Sequence, residues 1–419
     1  ATLYCGTSKE SIFFGTTRKE EKISGSSSVP NKEFIRSSLV NSSSSSTSNY
    51  AYAFVICGVW PEQPSYRGYL FNILVSTKIL RQEGSTADVV VLVQMDYRAG
   101  AGGDEAASLP LVDLKWLERM GIHVQYIPPS NKQNFYNCML EKFRILTLLS
   151  YKRVLFLDGD IMPLTNLDYL FHFSEENNDS NDAPKLMQNL VVAGHQSDPA
   201  TGGFFMLTPK KGDFEELLNI VHRRESRAKR QQQSVGYKSQ EIQFNEMEGW
   251  GHVITPPDKW LSKTDAGTKW DFQFAYADPG LLYHWTKYVK QSVSLLIHKD
   301  VHNWSTKQNG TLVLQEILKH PFLNVSKPRL RIRVACQKWI CDFYHFSSSE
   351  KPWLHNPPFN FRGPDSVKYA AHHWFFMLAK LNDELSMGLN FSKWQTIGQP
   401  ILGFWPRPHS INERINNAV

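Results

Sequence analysis

The chain has 419 residues, of which 41% are hydrophobic and 21% charged, and this composition excludes collagen-like, wholly disordered and disulfide-scaffold proteins. Its 46 Lys and Arg against 40 Asp and Glu give a net charge of +6, a mild bias that suits an anionic ligand and does not call for nucleic acid. No run approaches the ~18 apolar residues of a membrane helix. Because the chain does not begin with Met, we expect a fragment or a processed product, with room for a membrane anchor outside it.

Hydrophobic spacing predicts alternating strands and helices after a Ser-rich start. Residues 1–49 carry Ser runs with little apolar periodicity and are predicted to be a flexible leader or stem. Order is expected from Tyr50 onward. The predicted strands are Ala51–Cys57, Val89–Val93, His123–Tyr126, Arg153–Leu157, Leu190–Ala193 and Gly203–Leu207, and the predicted helices are Tyr69–Leu80, Leu111–Met120, Met139–Leu149 and Asp213 to about Arg230.

This alternation predicts an α/β protein with a mainly parallel, doubly wound sheet flanked by helices. The simplest division is a leader over 1–49, one main domain over 50–353 and a C-terminal extension over 354–419. Ligands of such sheets bind beyond the carboxyl ends of the strands. That rule points to Asp158-Gly159-Asp160, which follows the apolar run Arg153–Leu157.

The acidic pair has two interpretations that the tripeptide alone leaves open. Strand alternation would put Asp158 and Asp160 on one side, where two carboxylates repel unless they share a divalent cation such as Mg²⁺ or Mn²⁺. Asp and Gly are equally typical of a plain turn. Among enzymes, a haloacid-dehalogenase-type phosphatase is disfavoured because the pair lies far into the ordered region and no Asp-Asp dipeptide follows.

A second group of motifs resembles glycosyltransferase family 8, the glycogenin-like nucleotide-sugar transferases. Tyr344-His345-Phe346 followed by Lys351-Pro352-Trp353 resembles the HFxGxxKPW signature of that family. Four further segments resemble other family motifs in the right order, and the resemblance covers roughly Tyr50 to Trp353. These segments are Glu141-Lys142-Phe143, Phe156–Ile161, Thr201–Phe205 and Asp278–Leu282.

The resemblance implies a GT-A type fold and a retaining transferase that moves a hexosyl group from a UDP-sugar to an acceptor hydroxyl. Asp158, Asp160 and His345 would ligate Mn²⁺, with Mg²⁺ as the other candidate. Lys351 would neutralise the departing diphosphate, and Lys142 would contact the donor. The further implied donor-binding residues are Val55, Ile56 and Tyr66 near the nucleoside, Gly159, where a small residue lets a ligand approach, and Thr201, Gly202 and Ser348.

Three positions depart from the family pattern. Ser348 stands where the family has Gly, Thr201-Gly202 replaces an Asn-Ser pair, and Pro279 replaces a Gln. Asp278 is retained and is the candidate to contact the transferred sugar, either as the nucleophile of a double displacement or beside a front-face reaction. The donor sugar and the acceptor, a glycan or a protein, are left open.

The rival hypothesis is a catalytically silent sugar- or nucleotide-binding protein on the same fold. Nucleic acid is not an expected partner, because the basic run from His222 to Arg230 has no interleaved aromatic residues and is interpreted as a solvated helix face. The N-x-S/T triplets at Asn303, Asn309 and Asn324 favour the Golgi or secretory lumen, with the cytoplasm as the alternative. A bridge between Cys336 and Cys341 is left open.

Overall fold

The structure is a computed structural model of the chain. It describes residues 48–96, 108–128, 139–172, 189–193, 200–235, 244–251, 270, 272, 274–290, 293–297, 343–346, 351–355 and 365–391. The leader up to residue 47, Ser348, Cys336 and Cys341 lie outside the described residues.

A seven-stranded sheet forms the centre of the described structure, in the order β3-β2-β1-β4-β7-β6-β8. Parallel pairing joins β1 to β2 and β4, β2 to β3, and β6 to β8, whereas β7 runs antiparallel to both of its neighbours. The strands are β1 (Tyr50–Val59), β2 (Asp88–Met95), β3 (Ile122–Ile127), β4 (Arg153–Leu157), β5 (Ile161–Pro163), β6 (Asn189–Ala193), β7 (Phe204–Leu207), β8 (Val293–Ile297) and β9 (Phe343–His345). Strands β5 and β9 pair separately as a two-stranded antiparallel sheet.

The described helices are α1 (Arg67–Gln82), α2 (Leu111–Arg119), α3 (Tyr169–His172), α4 (Asp213–Val235), α5 (Asp278–Tyr283) and α6 (Asp365–Leu385). The mainly parallel α/β sheet flanked by helices, predicted from the sequence, is thereby confirmed. Among the described residues, none of these helices combines the length and the apolar character that are needed to cross a membrane.

The central strands are buried on both sides, and their side chains alternate between two apolar cores. In β1, Tyr52 and Phe54 face the core beneath α1, α2 and α6, whereas Ala51 and Ala53 face the core beneath α4 and α5. Two-sided burial explains why these strands are continuous apolar runs in the sequence.

One predicted helix combines two helix types. The predicted helix Met139–Leu149 is helical in the structure, with α-helical residues at 139–141 followed by a 3-10 helix over Lys142–Thr147. Buried residues recur here at a spacing of three, with Lys142 and Ile145 on one row and Phe143 and Leu146 on the next. That spacing matches the three residues per turn of a 3-10 helix, and it turns Lys142 inward.

Helix α6 packs on α1 and contributes to the same core as the sheet. Trp374 is fully buried, and its ring centroid lies 5.8 Å from that of Trp353. Residues assigned to a C-terminal extension therefore share the core of the main domain. The domain boundaries themselves stay predictions.

Candidate functional site

Asp158-Gly159-Asp160 forms a turn at the carboxyl end of β4. The turn is closed by the Ile161 amide, which donates to the Asp158 carbonyl at 2.9 Å, and the Asp158 amide donates to the Gly203 carbonyl at 2.8 Å. Both carboxylates are buried, at 3% and 1% exposure. The two interpretations of the tripeptide are compatible, because the turn itself brings the two carboxylates together.

Strand pairing brings His345 to this turn. In the antiparallel β5–β9 pair, Ile161 lies opposite His345, so the residue after Asp160 sits beside the imidazole. The Phe346 amide donates to the Asp160 carbonyl at 2.9 Å and fixes this register. As a result, one ligand atom from each of Asp158, Asp160 and His345 lies within 4.8 Å of the others.

The donor set of this cluster fits a divalent metal ion. His345 Nε2 and Asp160 Oδ1 lie 3.2 Å apart, and each is a buried polar atom without a hydrogen-bond partner among the described residues. Buried polar atoms in this condition are unfavourable unless an ion or another ligand satisfies them. Two carboxylates with one imidazole suit Mn²⁺ among common biological ions, and Mg²⁺ to a smaller degree.

Lys351 is the cation nearest to Asp160. Its Nζ donates to Asp160 Oδ2 at 2.7 Å and to the Phe346 carbonyl at 2.9 Å, and the side chain is 3% exposed. The 3-10 turn Pro352–Leu354 follows directly, and its Trp353 packs edge-on against Tyr69 of α1, with ring centroids 5.2 Å apart. This packing anchors the lysine at the edge of the carboxylate cluster.

Lys142 bridges two carboxylates on the other side of the cluster. Its Nζ lies 3.0 Å from Asp158 Oδ1 and 2.8 Å from Asp278 Oδ2, and it also donates to the Gly202 carbonyl at 3.2 Å. Asp278 is the first residue of α5, whereas Lys142 comes from the inward-turned 3-10 helix. Lys142 therefore links Asp158, a member of the predicted metal site, to Asp278, the residue predicted to contact the transferred sugar.

The pKa values of the cluster reflect burial opposed by charge. Burial alone would lower the pKa of the Lys142 ammonium, but Asp158 and Asp278 raise it well above its usual value. Burial raises the pKa of Asp158 to about 6, against the pull of Lys142. Burial also disfavours the charged form of Asp160, but His345 and Lys351 lower its pKa below the ordinary value.

Two adjacent glycines leave space for these side chains. A Cβ on Gly202 would lie 1.7 Å from Asp278 Oδ2, so only glycine permits the observed position of that carboxylate. A Cβ on Gly203 would lie 3.1 Å from both Asp158 Oδ2 and His345 Cε1. The absence of a side chain at Gly202 thus leaves the volume that the Asp278 carboxylate occupies.

The remaining predicted donor-binding residues lie in different settings. Thr201 Oγ1 accepts from the Gly203 amide at 3.4 Å. A Cβ on Gly159 would lie 3.1 Å from the Tyr69 ring. Val55 and Ile56 are buried on opposite faces of β1, which continues for three residues beyond them. Their roles toward a donor stay predictions.

Tyr66 lies buried just before α1, and its hydroxyl is engaged by a residue that the sequence analysis did not identify. Its hydroxyl donates to Asp113 Oδ2 at 2.5 Å, and Arg67 forms an ion pair with Asp113 Oδ1 at 3.1 Å. Burial and the hydrogen bond to Asp113 raise the pKa of Tyr66 well above its usual value, so the phenol stays protonated. An aromatic role near the nucleoside would have to use the ring, since the hydroxyl is already bound.

Asn72 is a second residue that the sequence analysis did not identify. It is fully buried in α1 and contacts the backbone of the acidic turn. The available signal was a single amide within the apolar run Leu70–Leu74.

Comparison with known proteins finds similarity to named glycosyltransferases over part of the chain. No family model matches the chain. UDP-glucuronate:xylan alpha-glucuronosyltransferase 1 of Arabidopsis thaliana is 24% identical over 222 residues, which cover 51% of this chain and 29% of that protein. UDP-glucuronate:xylan alpha-glucuronosyltransferase 2 of the same plant is 40% identical over 122 residues, covering 28% of this chain and 19% of that protein. The chain spans less than a third of the length of these relatives.

Solved structures similar to the chain include two glycosyltransferases. The glycosyltransferase GlyE of Streptococcus pneumoniae TIGR4 is 14% identical with a TM-score of 0.36, over 80% of this chain and 63% of that chain. The galactosyltransferase LgtC, solved with donor and acceptor sugar analogues, is 11% identical with a TM-score of 0.37, over 79% of this chain and 95% of that chain.

Proposed function

We propose that this protein is a metal-dependent retaining glycosyltransferase of the GT-A type, transferring a hexosyl group from a UDP-sugar to an acceptor hydroxyl. The observation that carries the proposal is the convergence of Asp158, Asp160 and His345 at the carboxyl end of β4, with Lys351 and Lys142 on either side. Two carboxylates, one imidazole and two buried cations form a site suited to a metal-bound diphosphate.

The names of the curated relatives support a UDP-sugar donor and a glycan acceptor. Two relatives are named UDP-glucuronate:xylan alpha-glucuronosyltransferases, and two more carry the same name with the word putative. UDP-glucuronate is therefore the first donor to test, and a xylan-type chain is the first acceptor. A protein acceptor is a further arm of the same test.

The buried charges give each residue a role in breaking the glycosyl bond. Mn²⁺ held by Asp158, Asp160 and His345 would supply positive charge to the leaving diphosphate. Lys351, 2.7 Å from Asp160, is held where it would pair with the same phosphate oxygens. Lys142 holds the Asp278 carboxylate in its position through their 2.8 Å contact.

Two routes with retention are compatible with the position of Asp278. In a front-face reaction the acceptor oxygen bonds to the anomeric carbon as the phosphate oxygen leaves, and the acceptor proton passes to that phosphate. In a double displacement the Asp278 carboxylate bonds to the anomeric carbon as the bond to the diphosphate breaks and UDP leaves, and the acceptor oxygen then displaces the carboxylate, which takes up the acceptor proton. Pro279, in place of the family's Gln, has no side-chain group for either route, so Asp278 is the residue on which they differ.

A donor screen tests the proposal without knowledge of the acceptor. Release of UDP would be measured for UDP-glucuronate, UDP-glucose, UDP-galactose and UDP-xylose, each with Mn²⁺, with Mg²⁺ and with a chelator. We expect Mn²⁺-dependent release from one donor above the others, and its loss in Asp158→Asn. Full turnover by Asp158→Asn would refute the metal site, whereas tight UDP-sugar binding without any UDP release would favour the silent binding protein.

We also propose that the protein acts in the Golgi or secretory lumen, a location supported by its N-x-S/T triplets. Asn390 begins one such triplet but is only 8% exposed, so it is a poor glycosylation acceptor. The triplets at Asn303, Asn309 and Asn324 lie outside the described residues. Endoglycosidase treatment of the protein expressed in a eukaryotic host would reveal attached glycans by a mass shift, and an unchanged mass would favour the cytoplasm.

A further inference from the structure

One face of α1 lies directly against the acidic turn and the lysine segment. A Cβ on Gly68 would lie 2.2 Å from the Trp353 ring. The Tyr69 ring packs against Trp353 and lies next to Gly159, where an added Cβ would be 3.1 Å from it. Asn72 follows one turn later on the same face, and Ser76 one turn beyond it. This face thus supports both the carboxylate turn and the segment that carries Lys351.

Asn72 binds the backbone on each side of Asp160. Its Nδ2 donates to the Gly159 carbonyl and to the Ile161 carbonyl, each at 2.9 Å. Ser76 Oγ adds a weaker bond to the Ile161 carbonyl at 3.2 Å. Because the carbonyls of both residues next to Asp160 are held by one amide, the carboxylate of Asp160 has little freedom to turn away from Asp158 and His345.

The choice of an amide at this position is difficult to explain by stability alone. Asn72 is fully buried among Leu70, Phe71, Ile73 and Leu74, and its Oδ1 has no hydrogen-bond partner among the described residues. A buried acceptor left in this way destabilises the fold relative to an apolar residue of similar shape. The two Nδ2 bonds to the turn are the contacts that an apolar residue could not make.

We propose that Asn72, assisted by Ser76, is a positioning residue that sets the metal affinity of the Asp158–Asp160–His345 site. This inference rests on the metal site in the proposed function and extends it to a residue that never touches the ion. Groups that orient metal ligands from behind typically change metal affinity by about 10- to 100-fold when removed. We expect Asn72→Leu, which keeps the branched shape and removes both donors, to weaken Mn²⁺ binding at least tenfold.

The test is a Mn²⁺ titration of the full chain followed by electron paramagnetic resonance, which counts free Mn²⁺ without requiring turnover. Thr77→Val is the matched control, because Thr77 is equally buried in α1 but its hydroxyl donates only to Ile73 of its own helix, at 2.8 Å. We expect Thr77→Val to bind Mn²⁺ like the wild type whatever it does to the melting temperature. Ser76→Ala, which loses the weaker bond, should reduce the affinity by about two- to tenfold.

The outcomes separate this inference from the proposed function. A wild-type chain that binds no Mn²⁺ would refute the metal site and the inference with it. Wild-type binding together with unchanged affinity in folded Asn72→Leu would overturn the inference alone. If Asn72→Leu does not fold, equal affinities in Ser76→Ala and Thr77→Val would overturn it, whereas a loss confined to Ser76→Ala would support it.

Discussion

The two ends of the parallel strands, here called the amino edge and the carboxyl edge, each hold aspartates, but the half-buried Asp168 and the buried Asp158 and Asp160 are stabilised in different ways. At the amino edge, Asp168 accepts from the Tyr52 hydroxyl at 2.6 Å, from Ser85 Oγ at 2.7 Å and from the Thr86 amide at 3.0 Å. These three donors are neutral, and both Asp168 oxygens are engaged. At the carboxyl edge, Asp158 and Asp160 face each other with lysines beside them, and Asp160 Oδ1 has no hydrogen-bond partner among the described residues.

This difference distinguishes a structural carboxylate from a binding one. The amino-edge group is complete, so an added ion would have to break existing hydrogen bonds. At the carboxyl edge, Lys142 and Lys351 already offset the two carboxylates, but Asp160 Oδ1 and His345 Nε2 have no hydrogen-bond partner among the described residues, so two buried ligand atoms remain for a metal ion. We therefore interpret the unpartnered buried atoms, more than acidity itself, as the sign of a ligand site at the carboxyl ends of the strands, where sheets of this kind bind ligands.

The most direct test of this difference is to replace an aspartate by asparagine at each edge. Asp160→Asn removes the negative charge shared by His345 and Lys351, and we expect a loss of Mn²⁺-dependent UDP-sugar turnover of about 1,000-fold. Asp168→Asn should instead lower the melting temperature while the remaining folded enzyme keeps its turnover and its Mn²⁺ dependence. Initial rates of UDP release and thermal unfolding of both variants provide the measurement. Equal activity losses at the two edges would remove the distinction.

The next test concerns steric space at the carboxyl edge, where Gly202 and Gly203 leave different amounts of room for an added methyl group. In Gly202→Ala the new Cβ would lie 1.7 Å from Asp278 Oδ2 and would displace that carboxylate from Lys142, so we expect about a 100-fold loss of turnover. In Gly203→Ala the closest contacts are 3.1 Å, and the expected loss is about tenfold. Neither glycine has the positive φ that would make alanine strained, so the effects report displacement. The reverse order of the two losses would argue against Asp278 as the sugar-side residue.

Strands and most helices were predictable because their burial is periodic. Strand β4 has the predicted bounds, Arg153–Leu157, since all five residues are buried and acids follow at once. The segment Lys142–Thr147 is helical as predicted, but its buried rows recur every three residues, a spacing so close to 3.6 that the sequence does not distinguish a 3-10 helix from an α-helix.

The candidate site was predictable only where a motif carried the chemistry. Lys351 and Asp160 are 191 positions apart, and the family resemblance, without any periodicity, placed them in one site. Asn72 and Asp113 were missed because their partners are a backbone turn and a buried tyrosine, which no local pattern encodes. The inward turn of Lys142 onto Asp278 likewise depends on tertiary packing.

At the amino edge, a smaller effect should appear in stability alone. Tyr52→Phe removes the 2.6 Å bond to Asp168 from a fully buried residue while leaving Ser85 and Thr86 in place. We expect a loss of about 1–2 kcal/mol in the free energy of unfolding and no change in Mn²⁺-dependent UDP release. Urea denaturation with a parallel activity assay measures both quantities. A clear fall in turnover of the folded variant would mean that the two edges are coupled through β1.

The smallest effect is expected from a charge pair outside both edges. Lys78 of α1 and Glu384 of α6 form an ion pair at 2.7 Å, but their side chains are 20% and 46% exposed, so water and salt screen the attraction. Lys78→Met should therefore lower the free energy of unfolding by less than about 1 kcal/mol, and a double-mutant cycle with Glu384→Gln should give a coupling of about 0.2–1 kcal/mol that shrinks in high salt. Because the pair joins α6 to the helix that carries Asn72, the Mn²⁺ affinity of Lys78→Met is informative as well. An unchanged affinity would mean that Asn72 acts through its own contacts with the acidic turn, whereas a loss comparable to that of Asn72→Leu would assign the effect to the placement of α1 as a whole.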